Sequence, residues 1–209
     1  MSFDRAILLA AFLLLFTKAE GQINVYMGGN LHGNYSWAKG EESLFKPGFG
    51  GGFSFVYWEY EYWFLKAGLD YNYKSSSLLD YPYNFVDAES LGPDDQLRIE
   101  EFEHSIGIPL TVYFRPVEKG ANTLLITGSM EMLYIVHMKE QAEGFDAMVL
   151  KDSDGGNRIK TNIGLGVGYQ RQLDKHMFLN IVPSFQIDLR GYRAYNSITL
   201  TAELLFGVY

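Results

Sequence analysis

Apolar and polar residues alternate along most of this chain, and the alternation is cleanest from Met177 to Arg190. The odd positions there are Met177, Leu179, Ile181, Pro183, Phe185, Ile187 and Leu189, and the even ones from Asn180 onward are Asn180, Val182, Ser184, Gln186, Asp188 and Arg190. A period of two belongs to a strand, whose successive side chains point to opposite faces; a helix would scatter both sets. The segment also outruns the usual globular strand of about five or six residues and reaches the roughly nine to eleven that a tilted strand needs to cross a bilayer.

Seven more segments share the pattern: Ile23 to Leu31, Phe49 to Tyr57, Tyr62 to Lys74, Phe102 to Arg115, Leu124 to Met138, Ile159 to Arg171, and Ile198 to Val208. In each, one alternating set is oily and nearly free of charge, as in Trp63, Leu65, Ala67, Leu69, Tyr71 and Tyr73 against Lys66, Gly68, Asp70, Asn72 and Lys74. The connections alternate in length as well. Residues 32–48, 75–101, 139–158 and 191–197 form the long set, and 58–61, 116–123 and 172–176 the short one. Long loops at one end and short turns at the other predict an all-β, eight-stranded antiparallel up-and-down transmembrane β-barrel in the bacterial outer membrane, with both termini periplasmic.

The one long apolar run does not belong to this pattern. Ala6 to Phe16 follows Arg5 and precedes the small-x-small sequence Ala19-Glu20-Gly21, which reads as a secretory signal peptide over residues 1–21, leaving residues 22–209 as a single barrel domain. Its loss would remove Asp4 and Glu20 together with Arg5 and Lys18, so the net charge of −8 is unchanged. An exported acidic chain is a poor partner for nucleic acid. Cysteine is absent, which excludes disulfides, thiolate metal sites and a lipid-modified N-terminal cysteine.

Charge collects on the face opposite the oily one: Lys66, Asp70, Glu103, Arg115, Glu131, Asp188, Arg190 and Glu203, with Lys74 and His137 beside them. An eight-stranded barrel is only wide enough for side chains to fill, so these groups are expected to pair inside the lumen, with inward glycines relieving the crowding. No His-x-Ser pair exists, since Asn34, Ile106, Lys139 and Phe178 stand two residues after His32, His104, His137 and His176. Glu131 and His137 fall on one face yet stand roughly 20 Å apart along the strand, too far for a dyad. Lys151 to Asn157 resembles a calcium loop through Asp152 and Asp154, but has Asn157 where glycine is needed and Ile163 where the bidentate glutamate belongs. The residues therefore point away from an enzyme and call for no cofactor or metal. Residues 75–101, with Asp80, Asp87, Glu89, Asp94, Asp95, Glu100 and Glu101 around Tyr81, Tyr83 and Phe85, read as a docking loop for another envelope protein, with outer-membrane lipid as the other partner.

Several phrases resemble the eight-stranded outer-membrane β-barrel domains of Bacteroidota, the PorT-like group: Ile106 to Pro116 (IGIPLTVYFRP), Gly164 to Gln170 (GLGVGYQ), Pro183 to Arg190 (PSFQIDLR) and a last strand ending in an aromatic. The resemblance spans nearly all of residues 22–209 and implies a non-enzymatic structural or accessory subunit in envelope assembly or protein secretion. A narrow porin or small-ligand-binding barrel is the alternative function. A secreted lipocalin-like barrel is the rival fold, and its apolar face would point inward.

Overall fold

The structure, a computed structural model, describes residues 24–38, 44–58, 62–80, 97–142, 149–153, 159–189 and 195–208. These residues form β1 (Asn24–Ala38), β2 (Lys46–Trp58), β3 (Trp63–Asp80), β4 (Leu97–Lys119), β5 (Asn122–Ala142), β6 (Val149–Ser153), β7 (Ile159–Asp174), β8 (Met177–Asp188) and β9 (Tyr195–Val208). Every pairing is antiparallel. The order β4-β3-β2-β1-β9-β8-β7-β5 closes on itself through β4–β5, giving an eight-stranded transmembrane barrel, and the short β6 adds to the free upper edge of β5.

The register fixes the shape. Cross-strand partners followed once round the barrel run Met27, Phe55, Ala67, Leu110, Met130, Ile163, Ile187, Asn196 and return to β1 at Trp37. A stagger of ten residues between Met27 and Trp37 over eight strands corresponds to a tilt of about 40° and a backbone radius of about 8 Å. A cylinder that narrow is filled by its own side chains. Its outer face carries the oily set, with Leu31, Phe53 and Leu165 each more than 70% exposed (74%, 72% and 73%). Polar and charged groups such as Asn30, Lys66, Glu103 and Glu203 are buried within. An inward polar face and an outward apolar one is the reverse of the lipocalin arrangement.

The short turns are tighter than the alternation predicts. Residues 116–123 shrink to Gly120 and Ala121, since Lys119 already pairs with Asn122, and Gly120 has φ 61°, the left-handed value that a type II′ hairpin places at its first central residue. Lys175 and His176 form the β7–β8 turn, where the Asp174 carboxylate accepts the Lys175 N–H at 2.6 Å. The expected long loops are shorter too. β1 continues to Ala38, β3 to Asp80 and β5 to Ala142, while β4 begins at Leu97. Pro109 and Pro183 each lack a donor, and the β3–β4 ladder skips Gly68 and Leu69 as the β7–β8 ladder skips Val167 and Gly168.

Residues 1–21, Arg190 and the loop residues Tyr81, Tyr83 and Phe85 lie outside the described residues. Three acids of the expected docking loop do not belong to it, and the first of them, Asp80, ends β3. Glu100 sits on β4 and pairs with Lys46 at 2.5 Å, and Glu101 is buried inside the barrel.

Candidate functional site

Seen from the short-turn end, the interior is stacked in tiers, and the lowest is apolar. Tyr26, Val56, Phe64, Tyr113, Leu125, Phe178, Val182 and Leu205 form one buried cluster with Trp58 packed against it. Phe64 stacks on Tyr113 at 4.5 Å and on Trp58 at 4.9 Å, and Tyr26 meets Phe178 edge-on at 5.4 Å. The Arg115 guanidinium lies 4.3 Å above the Trp58 ring and bonds Glu118 at 2.9 Å and Thr123 at 3.3 Å. Arg115 thus lies at the short-turn end of this plug. The plug has a sequence signal that a reading for polar faces passes over. Tyr26, Phe64, Tyr113, Leu125, Phe178 and Leu205 are large apolar residues on the inward parity, all near short turns or termini.

Glu203 on β9 is the centre of the middle tier. Its carboxylate pairs with the Lys66 ammonium at 2.7 Å and accepts the Ser54 hydroxyl at 2.7 Å, the Asn180 amide at 3.0 Å and the Tyr113 hydroxyl at 3.4 Å. Gln170 extends the chain by donating to Asn180 at 2.9 Å. A little higher, Asn30 donates to Asp70 at 2.9 Å, and Asn72 donates to Glu131 at 3.0 Å while its carbonyl meets His32 Nε2 at 2.8 Å. Gly107 makes room here, because a Cβ on it would stand 2.5 Å from the Glu131 carboxylate and 2.8 Å from Leu133.

The upper tier is held by Glu103, paired with Lys160, and by Glu101, which accepts the Tyr195 hydroxyl at 2.5 Å. Lys74 and Asp188 face the same region. Lys160 is absent from the charge set legible in the alternation, because it lies at the start of β7 where the pattern is weakest. Between the tiers is a polar cavity of about 70 Å³ bounded by His32, Asn34, Asp70, Lys74, Glu131 and Thr199, with room for about five waters. Its floor is Tyr113 and Val182 of the aromatic plug.

One expected placement is overturned. His137 does not share the inward face with Glu131. The β4–β5 ladder passes from Ser105↔Ile135 to His104↔His137, so Val136 is an extra residue that turns His137 outward. There its ring lies 5.8 Å from that of His104, which stands 5.0 Å from Tyr73 and whose Nδ1 meets the Tyr71 hydroxyl at 2.6 Å. Glu131 and His137 therefore belong to different sides of the barrel wall.

No family model matches the chain, and no curated protein matches its sequence. Among solved structures, the Neisserial surface protein A superposes with a TM-score of 0.52 at 12% identity, over 88% of this chain and 97% of that one. Ail, the attachment invasion locus protein of Yersinia pestis, gives 0.45 at 11% identity over 88% and 98%. A major outer membrane protein of Thermus thermophilus gives 0.45 at 14% identity over 86% and 99%. The first likeness is one of fold, that of outer-membrane β-barrels, and the other two are too distant to add to it.

Proposed function

We propose that this chain is a non-enzymatic, integral outer-membrane barrel of the PorT-like kind, with its termini periplasmic, serving as an accessory subunit that docks another envelope protein at its long-loop end. The observation that carries this reading is the closed interior. The aromatic plug fills the short-turn end, and buried ion pairs occupy much of the space above it, leaving among the described residues a polar cavity of only about 70 Å³. Function then falls to the outside. The wall formed by β3, β4 and β5 supports it: β4 has 23 residues and rises roughly 60 Å, whereas β8 has 12 and rises roughly 30 Å, close to the roughly 25 Å lipid belt. One side of the barrel therefore stands well clear of the membrane, and residues 81–96, with Tyr81, Tyr83 and Phe85 as the proposed anchors, follow β3 and precede β4 in the chain.

Excising residues 81–96 and joining β3 to β4 through a short turn is expected to leave a barrel that still shifts its gel mobility on heating. The same variant should lose co-purification of the partner from gently solubilised outer membranes. An unchanged set of co-purifying proteins would refute docking at this wall.

A further inference from the structure

We infer that the outward patch where His104, His137 and Lys139 meet Tyr71 and Tyr73 holds the phosphate of a phosphorylated lipid in the membrane leaflet at the long-loop end. Tyr73, His104 and His137 face one another in a row across β3, β4 and β5. One step toward the rim, Lys139 stands opposite Phe102. One step toward the belt, Ile106, Tyr134 and Val136 are exposed and apolar. The row therefore marks the depth at which hydrocarbon gives way to headgroups. The Tyr71 hydroxyl and Nδ1 of His104 lie 2.6 Å apart, and the patch presents two imidazoles, a phenol and an ammonium to one small area.

Two features single this patch out from an ordinary aromatic girdle. Tyrosines alone suffice for a girdle, and they leave the paired imidazoles and the ammonium unexplained. Most acids of the neighbourhood are also withdrawn: Glu101, Glu103 and Glu140 are buried inward and Glu100 is tied to Lys46, while Asp152 of β6 stands opposite Lys139 in the ladder. On a chain of net charge −8, this gathering of imidazole, phenol and ammonium groups on one outward area fits a phosphate ester. The backbone irregularity at Val136 is what brings His137 to it, since an uninterrupted alternation would aim that ring into the lumen.

The inference rests on the reading of the chain as an integral outer-membrane barrel. The full-length protein in detergent micelles, titrated with diphosphoryl lipid A and followed by native mass spectrometry, tests it. The doubly substituted His104→Gln, His137→Gln protein is expected to keep its heat-modifiable mobility and to lose about tenfold in affinity for the diphosphoryl lipid, with Lys139→Gln lowering it further. Dephosphorylated lipid A should bind both proteins alike, and millimolar inorganic phosphate should not displace the lipid. Wild-type affinity in the double variant would overturn the site, and displacement by inorganic phosphate would overturn a lipid as its occupant. A protein that neither inserts into liposomes nor shifts on heating would overturn the barrel reading beneath both.

Discussion

Four strands deliver polar groups to the carboxylate of Glu203: Ser54 from β2, Lys66 from β3, Tyr113 from β4 and Asn180 from β8. Removing one partner of such a pair leaves the other buried and uncompensated, so Glu203→Ala is expected to cost about 3 to 5 kcal/mol in urea unfolding from lipid vesicles. The paired replacement Lys66→Met with Glu203→Leu should recover most of that loss, because neither charge then remains to be desolvated. On the outer face the sign of polarity reverses. Leu165→Arg puts a cation into hydrocarbon at mid-strand and should cost about 2 to 4 kcal/mol in the same assay, with Leu165→Ala far milder. Lys66, Asp70, Glu103, Glu131 and Glu203 were legible as inward residues from parity alone. Their individual partners were not, because alternation gives a side chain's face but not its neighbour across the lumen. Lys160 shows the limit, since nothing local to it indicates Glu103.

Strand centres were legible and strand ends were not, for a reason that lies in the solvent. Within lipid the outward residues must be apolar, so alternation is enforced; beyond it that demand lapses, and Ser75-Ser76-Ser77 or Lys139-Glu140-Gln141 continue a ladder without any hydrophobic period. The bulge in β5 is invisible for a related reason, because one extra residue at Val136 falls just where the pattern fades. The extra residue is outside the regular ladder, so deleting Val136 should join Ile135 to His137 in an unbroken register and change stability by less than about 1 kcal/mol. Deleting Met132 instead would flip Leu133 to Val136 and drive the Tyr134 ring into the lumen. Heat-modifiable mobility is expected to survive the first deletion and be lost in the second.

Across the whole molecule, eight strands staggered by ten residues leave an interior that its own side chains fill, and the apolar plug seals it at one end. Planar bilayers containing the purified protein are accordingly expected to show no discrete conductance steps. Steady single-channel openings would mean that the Trp58, Phe64 and Tyr113 stack is not a fixed seal. The circular order has one more consequence. Of the eight seams, six join consecutive strands and β5–β7 spans only the short β6, so these can zip from their own connections, whereas β1 meets β9 with Val25 opposite Val208, nearly the full chain apart. Closing so large a loop is the slowest kind of pairing. Until it happens the growing sheet has two bare backbone edges, which makes the β1–β9 seam the last to form during insertion and the place where nascent copies are most prone to pair with one another.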